Sequence, residues 1–160
     1  MPMILPGRHT AAHPDALVVF LIGARINRFY RPQAWLPVVR AMPAMLKELT
    51  AAPESGFMGY QPFIAGLRTV MMVQYWRDFD CLEAYARATD KAHWPAWTAF
   101  NRASRDNDGA VGIFHETYVV AKGQSETIYV DMPRFGLGMV AGTEPATGSR
   151  AQARDRMRAD

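Results

Sequence analysis

An internal disulfide is impossible in this chain, because Cys81 is the only cysteine among its 160 residues. Nothing therefore argues for an oxidising compartment. Long apolar runs are missing too: the longest, Ala16 to Ile22, is about a third of what a membrane-spanning helix needs. The N-terminal MPMILPGRHTAAHPD lacks a charged region followed by a sustained apolar core, so no signal peptide is expected. A cytoplasmic, soluble protein is the resulting expectation. Charge bias is also weak, with 18 Lys and Arg against 15 Asp and Glu. Much of the positive excess lies in RAQARDRMRAD at the C-terminus, so neither nucleic acid nor a membrane is expected as a partner. There is no phosphate loop, no zinc-ligand spacing, no Ser, His and Asp set placed for nucleophilic catalysis, and no internal repeat.

What is present is enough for one core of ordinary size. The stretch Gly112 to Val120 (GIFHETYVV) is a strand by composition, yet it carries a histidine and a carboxylate in its middle. Side chains alternate across a strand, so Ile113, His115, Thr117 and Val119 share one face and Phe114, Glu116, Tyr118 and Val120 the other. If both faces are covered, His115 and Glu116 need partners, since an isolated buried charge costs several kcal/mol. Either His115 is a satisfied core histidine and Glu116 a solvent-facing edge residue, or one face lines a pocket.

Around this strand the other elements fall in order. Met1 to Pro14 reads as an extended arm or loop. Ala16 to Phe29 (ALVVFLIGARINRF) suits a central strand that turns polar at Arg25 and Asn27. Pro32 to Thr50 shows apolar residues three and four apart, which marks an amphipathic helix; Pro37 and Pro43 predict a short turn, then a helix starting near Pro43. Phe57 to Ile64 is a short irregular strand, broken by Gly59 and Pro62, and Arg68 to Trp76 a regular one. Asp78 looks like the N-cap of a helix running to about Thr89. Lys91 to Arg105 is a further helical piece with His93, Trp97 and Phe100 on one face. Glu126 to Met132 is a last strand. Residues 1–141 are expected to form a single domain, and 142–160 a polar, disordered tail.

This order predicts an α+β protein with the ferredoxin-like split βαβ arrangement and an antiparallel sheet. Helices on one face would leave the other bare. An uncovered side carrying Leu17, Val19, Leu21, Val70 and Met72 would be a large apolar patch, which monomers rarely tolerate. Two copies packed sheet to sheet as a homodimer remove it, with the pocket expected near the polar end marked by Arg25 and Asn27.

The stretches GARIN, AWLPV, AMPAML, VQYWRDF, HWPAWTAF, VGIFHETY and YVDMPRFGL together resemble a small family described as similar to the fumagillin-pathway monooxygenase, within the dimeric α/β-barrel superfamily. The resemblance spans about Pro6 to Leu137. It implies a monooxygenase-like enzyme that oxidises a small, largely apolar organic molecule in a pocket between sheet and helices. Such a substrate, once deprotonated, is electron-rich enough to reduce oxygen itself, so the protein need supply a base, a cation for the anion and an apolar room. His93 or His115 could be the base and Arg25 the cation; Glu116 joins them as a catalytic candidate. Asn27, Arg68, Met72, Gln74, Trp76, Trp97 and Tyr118 are the candidate substrate-binding residues. The bland readings are a salt bridge from Arg25 to Glu116 and simple core packing for Trp76.

Two alternatives stand beside this one. The pair His93 and His115 is similar in arrangement to the proximal and distal histidines of haem-containing aldoxime dehydratases, which implies a haem-dependent enzyme with His93 as iron ligand and His115 as acid or base. Without a CxxCH motif, haem b would be held non-covalently. The cofactor is thus either none or haem b. The last alternative is non-catalytic binding of a small hydrophobic metabolite, for which the ten methionines would suit an adaptable pocket.

Overall fold

The computed structural model describes residues 2–12, 15–90, 94, 95, 98 and 108–157. Its strands are β1 (Leu5–Ala11), β2 (Leu17–Ile26), β3 (Phe57–Ile64), β4 (Thr69–Trp76), β5 (Val111–Val120), β6 (Tyr129–Met132) and β7 (Thr143–Pro145). Its helices are α1 (Pro32–Thr50), α2 (Phe79–Arg87), α3 (Leu137–Ala141) and α4 (Ala153–Arg156). The order β2-α1-β3-β4-α2-β5 builds an antiparallel sheet with spatial order β3-β4-β2-β5. That is the ferredoxin-like split βαβ topology that the order of elements predicts.

The central strand β2 is central because its apolar run can be buried on both sides. Its register with β4 sets Val18 opposite Trp76, Phe20 opposite Gln74, Ile22 opposite Met72 and Ala24 opposite Val70. Residues directly opposite share a face, so all of these lie on one side of the sheet. The helices cover that side: Leu49 of α1 and Leu82 of α2 pack with Val18 and Trp76 into the buried core. Val70 and Met72 therefore lie on the helix-covered face and not, as expected, on the uncovered one with Leu17, Val19 and Leu21.

Helix α1 runs unbroken from Pro32 through both Pro37 and Pro43, where a turn followed by a later helix was expected. Pro32 fits the first helical position, where no amide donor is needed. Each internal proline removes one hydrogen bond. The apolar stripe packed on the sheet outweighs that loss, since most helix stability in a protein comes from tertiary packing. The irregularity expected in β3 is present as a register shift between Phe57 and Gly59.

The chain termini depart further from expectation. The N-terminal arm contains β1, which pairs with β6 and β7 in a second sheet of order β6-β1-β7. The last predicted strand is thus part of this second sheet and not of the main one. The segment expected to be a disordered tail supplies β7, and the Arg156 side chain of α4 is buried against Glu126. Composition hides this because the segment's order comes from pairing with β1, a partner more than a hundred residues away. Residues 135–141 then close part of the main sheet's second face. Phe135 meets the Phe63 ring edge-on at 5.8 Å, and Val140 sits over Gly59, where a Cβ would meet it at 2.3 Å. Along β2 and β5 that face is buried at Leu17, half-buried at Val19 and Leu21, and exposed at Glu116 and Tyr118. No helix among the described residues is long and apolar enough to cross a membrane.

Asp78 caps α2 as expected, accepting from the Cys81 amide at 2.7 Å. The Cys81 thiol and amide, together with the Arg77 guanidinium, lower its carboxyl from 3.8 to about 2. A depressed carboxyl stabilises the fold above its unfolded value and loses that contribution as pH falls through the folded one. In thermal unfolding, Asp78→Asn is expected to be less stable than the wild type above about pH 5, with the gap closing toward about pH 2. An equal gap at both ends of this range contradicts the assignment.

Candidate functional site

On the helix-covered face, three residues of β4 form a hydrogen-bonded row. Strand alternation places Met72, Gln74 and Trp76 side by side, and all three are buried. The Trp76 indole, fully buried, donates to Gln74 Oε1 at 3.0 Å, and Gln74 Nε2 donates to Met72 Sδ at 3.2 Å. A buried indole N–H needs such an acceptor. Gln74 therefore has its carbonyl oxygen committed, which fixes the amide's orientation, while its NH2 group retains a second N–H. Phe57 closes on the Trp76 ring at 5.2 Å and Tyr85 at 5.7 Å.

Beside this row a cavity of about 880 Å³ opens between α1 and the sheet. Val38, Val39, Met42, Pro43 and Leu46 wall it from the helix; Ala24, Tyr60, Pro62, Ile64, Val70 and Met72 wall it from the sheet. Helical spacing explains the first wall, because residues three and four apart share a face. The second follows from β3–β4 pairing, which sets Tyr60 opposite Gln74, Pro62 opposite Met72 and Ile64 opposite Val70. Lys47 is the only Lys, Arg, His, Asp or Glu among the described lining residues. The volume is in the range of ordinary small-molecule sites.

His115 lies on the same face of the sheet, in one cross-strand row with Ile22 and Met72. With strands spaced about 4.8 Å apart, its Cα is roughly 10 Å from that of Met72. Its ring is exposed and tilts against Phe20 at 5.6 Å between centroids, so it stands beside the cavity and does not form its wall.

The remaining expected residues divide. Arg25, Glu116 and Tyr118 occupy the opposite face, as their register with β4 and β5 dictates. There Arg25 donates to Thr69 Oγ1 at 3.4 Å, and the Tyr118 hydroxyl donates to Glu116 at 2.5 Å, a bond that pushes the phenol's pKa up. Neither the site roles nor the Arg25 to Glu116 salt bridge finds a geometric basis, since the two side chains have other partners. Asn27 donates to the Gly109 carbonyl at 2.8 Å. Arg68 donates to the Asn27 carbonyl at 2.9 Å and lies over the Phe29 ring. Both hold loops together outside the cavity. This cavity borders Ala24 of β2, on the other side of the sheet from Arg25. His93 and Trp97 lie outside the described residues, and with them the expected iron ligand.

No histidine or cysteine lines the cavity among the described residues. Nor is any group of three or more His, Cys, Asp or Glu side chains among them placed to hold a metal ion. The sequence reading missed Lys47, Tyr60 and Val70 as lining residues. The signal was available for Lys47, which continues the stripe Val39, Pro43 at four-residue spacing.

Residues 17–137 match the family described as monooxygenase af470-like. The chain belongs to this family. Membership supports an oxidoreductase of the oxygenase kind, with fold and family in agreement. A search of curated protein sequences finds no match for this af470-like chain. Among solved structures it is similar to aldoxime dehydratase, with TM-score 0.58 and 20% identity over 96% of this chain and 45% of that one. It therefore spans less than half of that protein. It is also similar to SnoaB, a cofactor-independent oxygenase from Streptomyces nogalater, with TM-score 0.46 and 14% identity over 66% of this chain and 95% of that one. A dimeric ferredoxin-like protein from an uncultured marine organism gives TM-score 0.42 and 14% identity over 66% of this chain and 96% of that one.

Gln74→Met preserves side-chain length but leaves the buried Trp76 N–H without its acceptor. The expected cost is about 1–3 kcal/mol in denaturant unfolding. A change within about 0.5 kcal/mol contradicts the role given to this amide.

Proposed function

We propose that this chain is a monooxygenase-like enzyme which oxidises a small, largely apolar organic molecule held between α1 and the helix-covered face of the sheet. The observation that carries this reading is the cavity itself, apolar on both walls and bordered on the sheet side by Met72, the neighbour of Gln74 in the hydrogen-bonded row. The walls supply an apolar room. His115, in the same cross-strand row as Met72 but two strands away and beside the cavity, acts as the base that removes the substrate proton. Arg25 has no part in this, because it faces away.

Two copies pair through the open half of the second face, along β2 and β5. Val19 and Leu21 are half-buried there, and Tyr118 is 51% exposed. Covering these groups removes an apolar patch from water. Sedimentation is then expected to give about twice the chain mass of 17.9 kDa.

Val70 is 40% exposed and borders the cavity, so a larger side chain there fills the space without repacking the core. With an aromatic substrate panel and an oxygen electrode, the wild type is expected to show substrate-dependent oxygen uptake. Val70→Trp and His115→Ala should each lower kcat/KM, the base substitution by about 10²–10⁴-fold. Unchanged uptake in both variants, or a Soret band in the purified wild type, contradicts this reading.

A further inference from the structure

The proposed chemistry requires a cation for the substrate's anion, and Arg25 cannot supply it from the opposite face. One cationic side chain does reach the cavity. Lys47 lies one helical step beyond Val39 and Pro43 on the wall-forming stripe of α1, in the last turn of the helix. It both lines the cavity and is exposed, which places the residue at the rim. No carboxylate lines the cavity beside it, and it forms no ion pair among the described residues.

An apolar enclosure with a single unopposed cation at its edge is selective in a definite way. A neutral apolar molecule gains burial alone. A dianion, or an acid placed deep inside, loses hydration that nothing replaces. A molecule with an apolar body and one acidic oxygen can bury the first and keep the second at the rim, where the ammonium favours its ionised form.

We propose that the cavity takes a phenol or enol as its anion, with Lys47 as the counter-ion that fixes which end faces outward. This rests on the reading of the cavity as the substrate site. On binding, the substrate O–H bond breaks, the proton passes to solvent or to a base, and the oxygen keeps its electron pair facing the ammonium. Lys47 lowers the acidity threshold of the bound molecule and is not itself the base.

Two probes of similar shape separate charge from fit: 4-nitrophenol, whose anion has its own absorbance band, and neutral nitrobenzene. The full chain is expected to bind both and to lower the apparent pKa of bound 4-nitrophenol below its value in water. Lys47→Met should abolish that shift and weaken 4-nitrophenol binding about fivefold, leaving nitrobenzene binding unchanged; Lys47→Arg should retain the shift. If both probes bind but 4-nitrophenol titrates as in water, or if Lys47→Met leaves its titration unchanged, the role of Lys47 is overturned while the cavity stands. If neither probe binds to wild type, and Val70→Trp is no different, the cavity reading falls and this inference with it.

Discussion

Everything at the site depends on the register of β2 against β4. The pairing of Val18 with Trp76 and of Ile22 with Met72 sets which side chains face the helices. A slip by one residue would send the whole set through to the other side. The pairing is held because Trp76, with no exposed surface, fits only on the side where Leu49 and Leu82 close over it. Its N–H must find an acceptor there, and Gln74, two residues earlier, is the side chain that alternation brings alongside. One buried aromatic thus fixes register and amide orientation together.

The same constraint distributes labour between the two faces. The helix-covered side has the packed core at the Trp76 end and open space at the Val70 end, because α1 presents Leu49 to the first and smaller or more flexible groups such as Val38, Val39 and Met42 to the second. The opposite side is shared. Residues 135–141 cover the β3 and β4 half, with Phe135 on Phe63 and Val140 on Gly59, and the β2 and β5 half exposes Glu116 and Tyr118. Gly59, at φ 148°, belongs to the backbone region that favours glycine, and its missing Cβ admits Val140.

Much of the fold was legible in the sequence because its signals are local. Apolar, β-branched composition gave β2, β4 and β5, Asp78 gave the start of α2, and the order of elements gave the ferredoxin-like topology. What was not legible depends on distant partners. The N-terminal arm and the C-terminal segment each look like loop, and become strands by pairing, β1 with β6 and β7, and β7 with β1. The candidate site was legible in its parts and not in its grouping. Alternation already parts His115 from Glu116 and Tyr118, but which of these shares a side with Met72, Gln74 and Trp76, and which with Arg25, is set only by the cross-strand register.

The central claim is that the space between α1 and the sheet admits an apolar guest. Methionine methyl groups report on it directly, since Met42 and Met72 line the cavity while Met3, Met132 and Met157 are exposed elsewhere. With ¹³C-methyl-methionine labelling and titration of naphthalene, the account predicts saturable shifts at Met42 and Met72 and none at the exposed three. Shifts confined to Met3, Met132 and Met157, or no saturable shift at Met42 and Met72, contradict it.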